Sequence, residues 1–209
     1  MQHKLTYIKL KENLKDYPIL SQKVIKKIFP KFNIHNLKEW QKKKYIKKII
    51  KGYYIFSDLN INEQVLYIIS NNIYKPSYVS FEIALSYYNL IPESIYAVTA
   101  ATTRHTYTFT TDFGEFIYRK IKPKLMFGYK LIKYNDKVYK IAEVEKAIID
   151  YFYIKHGLKK ESDFEELRID QESFLEQVNF NKLNDYLKRI NSNLLSRRIK
   201  RFIRYIKNA

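Results

Sequence analysis

The sequence predicts an α+β fold, and three observations support this expectation. Residues 1–58 contain three short amphipathic segments followed by two apolar segments joined at a glycine, a pattern that indicates helices and then a β-hairpin. The central residues alternate threonine with aromatic side chains and include an Asn-Asp turn, which favours an antiparallel sheet. Beyond Gly157 the apolar spacing is helical again.

The boundary between two predicted domains lies at the short polar link Ser57–Asn60. Residues 1–60 carry 15 lysines and 4 acidic residues, a net charge of +11. Residues 188–209 carry 8 basic residues and no acidic one, so the middle of the chain is nearly neutral within a total of +18. Charge separated in this way is typical of nucleic-acid-binding proteins. We therefore expect an N-terminal domain at 1–58 and a second domain at 59–209, which ends in a helical tail.

The N-terminal domain is predicted to contain three helices and a hairpin. In the first helix, apolar spacing directs Leu5, Ile8 and Leu14 inward. In the third, Leu37 and Trp40 point to the core at i, i+3 spacing. The helices cover about residues 4–15, Gln22–Phe29 (capped by Ser21) and Ile34–Lys43 (capped by Asn33), and the hairpin strands cover Tyr45–Ile50 and Tyr53–Phe56.

Three short helices followed by a basic hairpin predict a winged helix-turn-helix. In such a domain the third helix enters the major groove and the hairpin, or wing, rests on the adjacent backbone. The same fold can instead dock a protein, but the charge of these residues favours DNA. The candidate DNA-binding residues are basic or amide-bearing and lie on the outer side of the third helix or on the wing: Asn33, His35, Asn36, Lys38, Gln41, Lys42, Lys43, Lys47, Lys48 and Lys51.

The stretch Lys75–Arg104 is predicted to form one helix followed by one strand. Ser77 or Ser80 caps the helix, and Asn89 ends it in a left-handed conformation. The β-branched and aromatic residues of 95–103 then favour a strand. Such a helix–strand pair is expected to organise the second domain, a helix-flanked antiparallel sheet.

Several segments of the chain resemble the AbiEi family. They are Pro76–Ser80, Ala84–Tyr88, Leu90–Pro92, Val98–Arg104 and Ile141–Asp150, the last being similar to that family's iA-x-x-EKAllD segment. The predicted hairpin is similar to the family's wing, a kGyikrirrGlY run. Gly52-Tyr-Tyr54 keeps the second part of this run, whereas Lys44 stands where the first glycine is expected. The resemblance covers roughly the first three-quarters of the chain.

The resemblance implies a function for each predicted domain. AbiEi proteins are antitoxins and transcriptional regulators of bacterial abortive-infection systems, which are type IV toxin–antitoxin systems that defend against phage. The N-terminal domain is then expected to bind double-stranded DNA at its own promoter, at inverted repeats. The second domain is expected to oppose a nucleotidyltransferase-like toxin, often without forming a stable complex with it.

An enzyme is the alternative interpretation of the second domain, either one that modifies the toxin by phosphotransfer or a nuclease-derived protein. Glu143, Glu145, Lys146 and Asp150 are the candidates, since carboxylates beside a lysine can hold a divalent ion and activate water. A structural role is favoured, because first-turn glutamates complement the helix dipole and Asp150 can pair with Lys146 four residues earlier. The sequence has no Gly-rich phosphate loop and no cysteine, so no catalytic residue, metal or cofactor is predicted.

The last predicted helix, Ser192–Ile206, has two different faces. Leu195, Ile199, Phe202 and Ile206 recur at helical spacing and point inward. The outer arginines could contact DNA, RNA or a membrane surface, or could simply be solvated. The candidate nucleic-acid or partner surface comprises Arg104, Arg197, Arg198, Arg201 and Arg204.

No membrane partner is predicted. No segment approaches the ~18 consecutive apolar residues that span a bilayer. The N-terminal residues lack the apolar core of a signal peptide, and the absence of cysteine fits a reducing compartment. We therefore expect a cytoplasmic protein.

Overall fold

A computed structural model describes residues 5–92 and 96–208. This part of the chain forms ten α-helices, a three-stranded sheet and a six-stranded sheet. The helices are α1 Tyr7–Leu14, α2 Gln22–Ile28, α3 His35–Lys42, α4 Glu63–Ile73, α5 Glu82–Tyr87, α6 Val144–Ile154, α7 Glu161–Glu165, α8 Gln171–Gln177, α9 Phe180–Ile190 and α10 Asn193–Asn208. The strands are β1 Leu20–Ser21, β2 Ile46–Ile50, β3 Tyr53–Phe56, β4 Ser77–Val79, β5 Ala97–Thr102, β6 Tyr107–Thr111, β7 Gly114–Lys120, β8 Tyr129–Tyr134 and β9 Lys137–Ala142. An α+β fold is confirmed.

The first three helices and the first three strands, here called the head, surround a hydrophobic core of their own. The antiparallel sheet has the order β1-β3-β2, and α3 packs on β2. Leu37 and Trp40 of α3 are buried, as their spacing predicts, together with Ile25 of α2. The predicted cap of α2 is confirmed, because the Ser21 hydroxyl accepts the N–H of Val24 at 3.1 Å.

The inward face of α1 differs from the prediction. Ile8 is 68% exposed, whereas Leu10 and Leu14 are fully buried. The helix begins at Tyr7, after a cap in which Thr6 accepts the N–H of Lys9, so Leu5 precedes the helix and does not share its periodicity. The pair that faces the core is therefore Leu10 and Leu14, at i, i+4 spacing.

The large sheet is mixed, so the prediction of an antiparallel sheet was wrong. Its strand order is β6-β7-β5-β4-β9-β8. Strand β5 runs parallel to β7, from the pair Ala97–Glu115 to the pair Thr102–Lys120, and β4 meets β9 in parallel at Val79–Ile141. Hairpin turns predict only pairings between neighbours in sequence, such as β6 with β7 and β8 with β9. The parallel pairings join distant segments and leave no such local signal.

The residues after Lys75 form a strand before they form a helix, which corrects a second expectation. Tyr78 and Val79 of β4 are fully buried in the middle of the sheet. Neither Ser77 nor Ser80 caps α5; the residue before the helix is Phe81, with φ 62°, and the hydroxyl of Thr99 accepts the N–H of Ile83 at 3.2 Å. Asn89, with φ 54°, follows the helix in the predicted left-handed conformation.

Helices cover both faces of the large sheet. Helix α4 lies on one face, where the Tyr118 hydroxyl donates to the carbonyl of Ser70 at 2.7 Å. On the other lies α6, reached by the hydroxyl of Tyr78, and α9 and α10 pack on the outside of α6. Burial raises the pKa of Tyr118, although its bond to Ser70 acts in the opposite direction.

The head also packs against the rest of the chain, here called the body. Ile19, Ile49 and Ile55 belong to the core of the body although they lie within the head. Across the boundary, Lys137 donates to the carbonyl of Asp16. Both predicted units therefore share a packed, partly apolar surface. In the described part of the chain, no helix is long and apolar enough to cross a bilayer.

Replacing Lys44 by glycine is expected to raise the free energy of unfolding by about 0.5–1 kcal/mol. Lys44 has φ 56°, a left-handed conformation that strains a residue with a Cβ, and it leads into β2. Urea denaturation followed by circular dichroism would measure the change. The matched control is Lys43→Gly, at a position whose φ of −77° favours no glycine, and this variant should not be stabilised.

Candidate functional site

Helix α3 presents one polar side to solvent because its apolar side is held in the head core. The helix starts at His35, so Ile34 and not the predicted Asn33 stands at the cap position; the Asn33 side chain accepts the N–H of His35 at 2.9 Å. Leu37 and Trp40 then anchor the inner side, and Phe32 stacks near Trp40 at 6.0 Å between ring centroids. The outer side is left free for a ligand.

The structure places the candidate DNA-binding residues on one helix and one adjoining hairpin. Asn36 and Gln41 are half-buried, and the Gln41 amide donates to the carbonyl of Leu37 at 2.9 Å. This bond uses one amide N–H and leaves the other N–H and the oxygen for a ligand. The remaining candidates are exposed: Asn33, His35, Lys38, Lys42, Lys43, Lys47, Lys48 and Lys51.

The hairpin exposes two consecutive lysines on opposite faces of its sheet. Lys47 pairs with Ile55 and Lys48 with Tyr54, and the register shifts only after Lys48. Ile46 is buried in the head core and Ile49 in the core of the body, whereas both lysines are exposed. The turn at Lys51-Gly52 uses the φ of 85° that glycine adopts without strain.

The cations of this surface have no acidic partners. Among the described residues, none of Lys38, Lys42, Lys43, Lys47, Lys48 and Lys51 lies within ion-pair distance of a carboxylate. Uncompensated ammonium groups on a helix and a neighbouring hairpin create a positive potential that attracts phosphates.

Sequence reasoning did not include α2 in this surface. Lys23, Lys26 and Lys27 of that helix are exposed, and α2 precedes α3 directly. In a helix-turn-helix the helix before the recognition helix crosses the DNA backbone. The signal was present in the sequence, since these lysines recur at i, i+3 and i+4 around the buried Ile25.

A second group of polar side chains lies inside the body and joins β4 and the residue after it to α6. Lys146 and Asp150 of α6 form an ion pair in which both side chains are 0% exposed. Asp150 also accepts the hydroxyls of Tyr78, at 2.7 Å, and Ser80, at 2.8 Å, and Lys146 donates to the Tyr78 hydroxyl at 2.8 Å. Burial lowers the pKa of Lys146, an effect that Asp150 counteracts.

The two glutamates at the start of α6 are engaged in packing. Glu145 is buried and accepts the N–H of Asn179 at 2.9 Å. Glu143 pairs with Lys182 at 2.9 Å and accepts the hydroxyl of Tyr186. Burial raises the pKa of Glu143, but these two bonds together hold it below its usual value. No cluster that could hold a metal ion occurs among the described residues. These contacts agree with the structural role favoured for this group.

The candidate surface around Arg104 and the tail does not form one patch. Arg104 lies over the ring of Tyr74 at 4.1 Å, next to the strand β6. The hydroxyls of Thr99 and Thr102 are buried and donate to backbone carbonyls, so they are not available to a phosphate. Arg198 is also buried and donates to the carbonyl of Leu158 at 2.9 Å. On α10, the exposed arginines are Arg197, Arg201 and Arg204.

Comparison with known proteins adds no further identification. No protein-family model matches the chain, and no curated protein matches it.

Proposed function

We propose that this chain is a DNA-binding transcriptional autoregulator whose head is a winged helix-turn-helix. The observation that carries the proposal is the outer surface of α3 and the β2–β3 hairpin, where lysines lie exposed without acidic partners. The order α1-β1-α2-α3-β2-β3, with an antiparallel β1-β3-β2 sheet, supports it. On this proposal α3 enters the major groove and the hairpin contacts the adjacent phosphates.

Base recognition is proposed for the amide side chains of α3. Asn36 and Gln41 are five residues apart, about 1.4 turns of the helix, and both are only half-buried. An amide can offer one donor and one acceptor to the edge of an adenine, and Gln41 retains one of each beyond its bond to Leu37. The lysines carry charge but no sequence information, because they meet phosphates, which are the same at every base pair.

We also propose that the body is the antitoxin of a type IV toxin–antitoxin system of the AbiEi type, opposing a nucleotidyltransferase-like toxin. Support comes from the segments Pro76–Ser80 and Ile141–Asp150, which carry the resemblance. Although far apart in sequence, they meet through Tyr78, Ser80, Lys146 and Asp150. Coexpression with the nucleotidyltransferase of a neighbouring gene tests this directly: restored growth supports the proposal, and continued toxicity contradicts it.

Replacing Asn36 and Gln41 together by alanine is expected to reduce discrimination between promoter and scrambled DNA. Each lost bidentate pair is worth ~1–3 kcal/mol, so the affinity ratio should fall by about tenfold or more. Fluorescence anisotropy with the two duplexes at one fixed salt concentration measures this ratio. Lys38→Ala, on the same helix, is the matched control and should weaken both duplexes equally. A ratio unchanged in the double variant would contradict base recognition by α3.

A further inference from the structure

Helix α10 presents a basic surface that the proposed function of the head does not use. Its 16 residues include no acidic side chain. The inner side is closed against the body, since Leu195, Ile199, Phe202 and Ile206 are at most 4% exposed. The outer side exposes Arg197, Lys200 and Arg204, at successive turns of the helix. We refer to these three residues as the α10 surface.

Neighbouring arginines fix the position of this helix. Arg198 donates to the carbonyls of Lys155 and Leu158, and Arg201 donates to the carbonyl of Lys159 at 2.8 Å. These carbonyls follow the end of α6, where cations are favourable. Arg198 and Arg201 therefore hold α10 on α6 and α7, so the α10 surface is held in place.

The α10 surface itself is uncompensated. Among the described residues, no carboxylate forms an ion pair with Arg197, Lys200 or Arg204. The three residues border a cleft of about 420 Å³ lined otherwise by Leu194 and further basic side chains. No carboxylate lines this cleft, although Glu161 and Asp185 line neighbouring clefts beside Arg204 and Lys200. The positive charge concentrated in the cleft matches a polyanion.

The α10 surface and the head lie on opposite sides of the large sheet. The head approaches the side covered by α4, because Lys137, which points to the same side as Tyr139 beside Tyr67 of α4, donates to the carbonyl of Asp16. Helix α10 packs outside α6, on the other side. A ligand of the α10 surface is therefore taken to be a separate molecule, or a separate segment, from the one at the head.

The chemistry of the α10 surface indicates which kind of polyanion it binds. Insertion of the helix into a bilayer interface is excluded, because its apolar side is buried. Arg197 and Arg204 are seven residues apart, about 10 Å along the helix, which matches about three phosphates of one duplex strand at ~3.4 Å of axis each. The three side chains only donate hydrogen bonds, which phosphate oxygens accept, and the α10 surface has no aromatic side chain on which the bases of a single strand could stack, so a duplex fits it better.

We propose that the α10 surface binds the phosphate backbone of a second segment of duplex DNA. Guanidinium groups pair with phosphate in a bidentate manner, and the surface reads no bases. One chain then holds two DNA segments, one at the head and one at α10. This inference rests on the proposed function only in assigning the first segment to the head.

The test counts duplexes bound per chain. A fluorescent 12-bp DNA duplex, too short to reach both sites, is titrated into the full chain at protein concentrations above the dissociation constant, and bound duplex is counted by sedimentation. Three variants are compared: R197A/K200A/R204A, the head variant K47A/K48A/K51A, and the two combined. The control variant K120A/K122A/K133A removes three exposed charges elsewhere on the body. Salt is set where the combined variant no longer binds.

The expected counts are two duplexes for the unmodified chain and the control, and one for each triple variant. The slope of log K against log salt at the α10 site, measured in the head variant, should be about −2.7, or about −0.9 for each of the three cations. One duplex on the unmodified chain, with no change in the α10 variant, would overturn the inference. If instead the α10 variant alone abolishes binding, the α10 site stands and the proposed function of the head fails. Tenfold tighter binding of an RNA duplex to the head variant would overturn the choice of DNA.

Discussion

Replacing Lys146 by methionine is expected to lower the free energy of unfolding by about 3–5 kcal/mol. The substitution leaves the carboxylate of Asp150, which is 0% exposed, without its counterion. The hydroxyls of Tyr78 and Ser80 still donate to it, but they carry no charge. Guanidinium denaturation at neutral pH, followed by circular dichroism, measures the loss.

Two further variants distinguish the stability lost by breaking the buried ion pair from any general effect of removing a lysine. Lys188→Met removes an exposed ion pair with Asp185 and should change stability by no more than about 0.5 kcal/mol. The double variant Lys146→Met, Asp150→Leu should lose clearly less than the sum of the two single variants, because it leaves no unpaired buried charge. Additive losses would show that the two side chains do not act as a pair.

Replacing Lys47, Lys48 and Lys51 together by alanine is expected to flatten the salt dependence of DNA binding. Each lysine–phosphate contact releases counterions, so the slope of log K against log salt should fall by up to about 3. These side chains are exposed and unpaired, and the fold should therefore be unaffected. Titrations of a promoter duplex at several salt concentrations give the slope.

The control for this experiment again removes three charges from the body. K120A/K122A/K133A changes the net charge equally, but leaves the hairpin intact, and should keep most of the slope. If the hairpin variant retains the slope of the unmodified chain, the hairpin does not touch DNA. The protein-docking interpretation of the head would then be favoured.

Local signals in the sequence predicted the local structure well. Ser21 was identified as a cap from residue type, and the Asn135 turn between β8 and β9 was identified from its dipeptide. Each of these features depends on side chains within four residues of one another. The buried side of α10 was also predicted, since apolar spacing along one helix is enough to define it.

Long-range structure was not predictable in the same way. The parallel pairing of β5 with β7 depends on segments that no turn connects. Strand β4 has only three residues, too few for an alternation to be recognised. For the candidate site, exposure of the lysines followed from the pattern, whereas the bond from Gln41 to Leu37 and the burial of Arg198 depend on tertiary contacts.

The shared packing of head and body limits how a head can be exchanged between such chains. Ile19, Ile49 and Ile55 belong to the sequence of the head but complete the core of the body. A head taken from another protein would bring its own side chains to these three positions. Exchange of DNA specificity between relatives therefore requires these isoleucines to be kept while α3 and the hairpin change. A functional chimera is then defined by which residues it keeps, and not by a single junction in the chain.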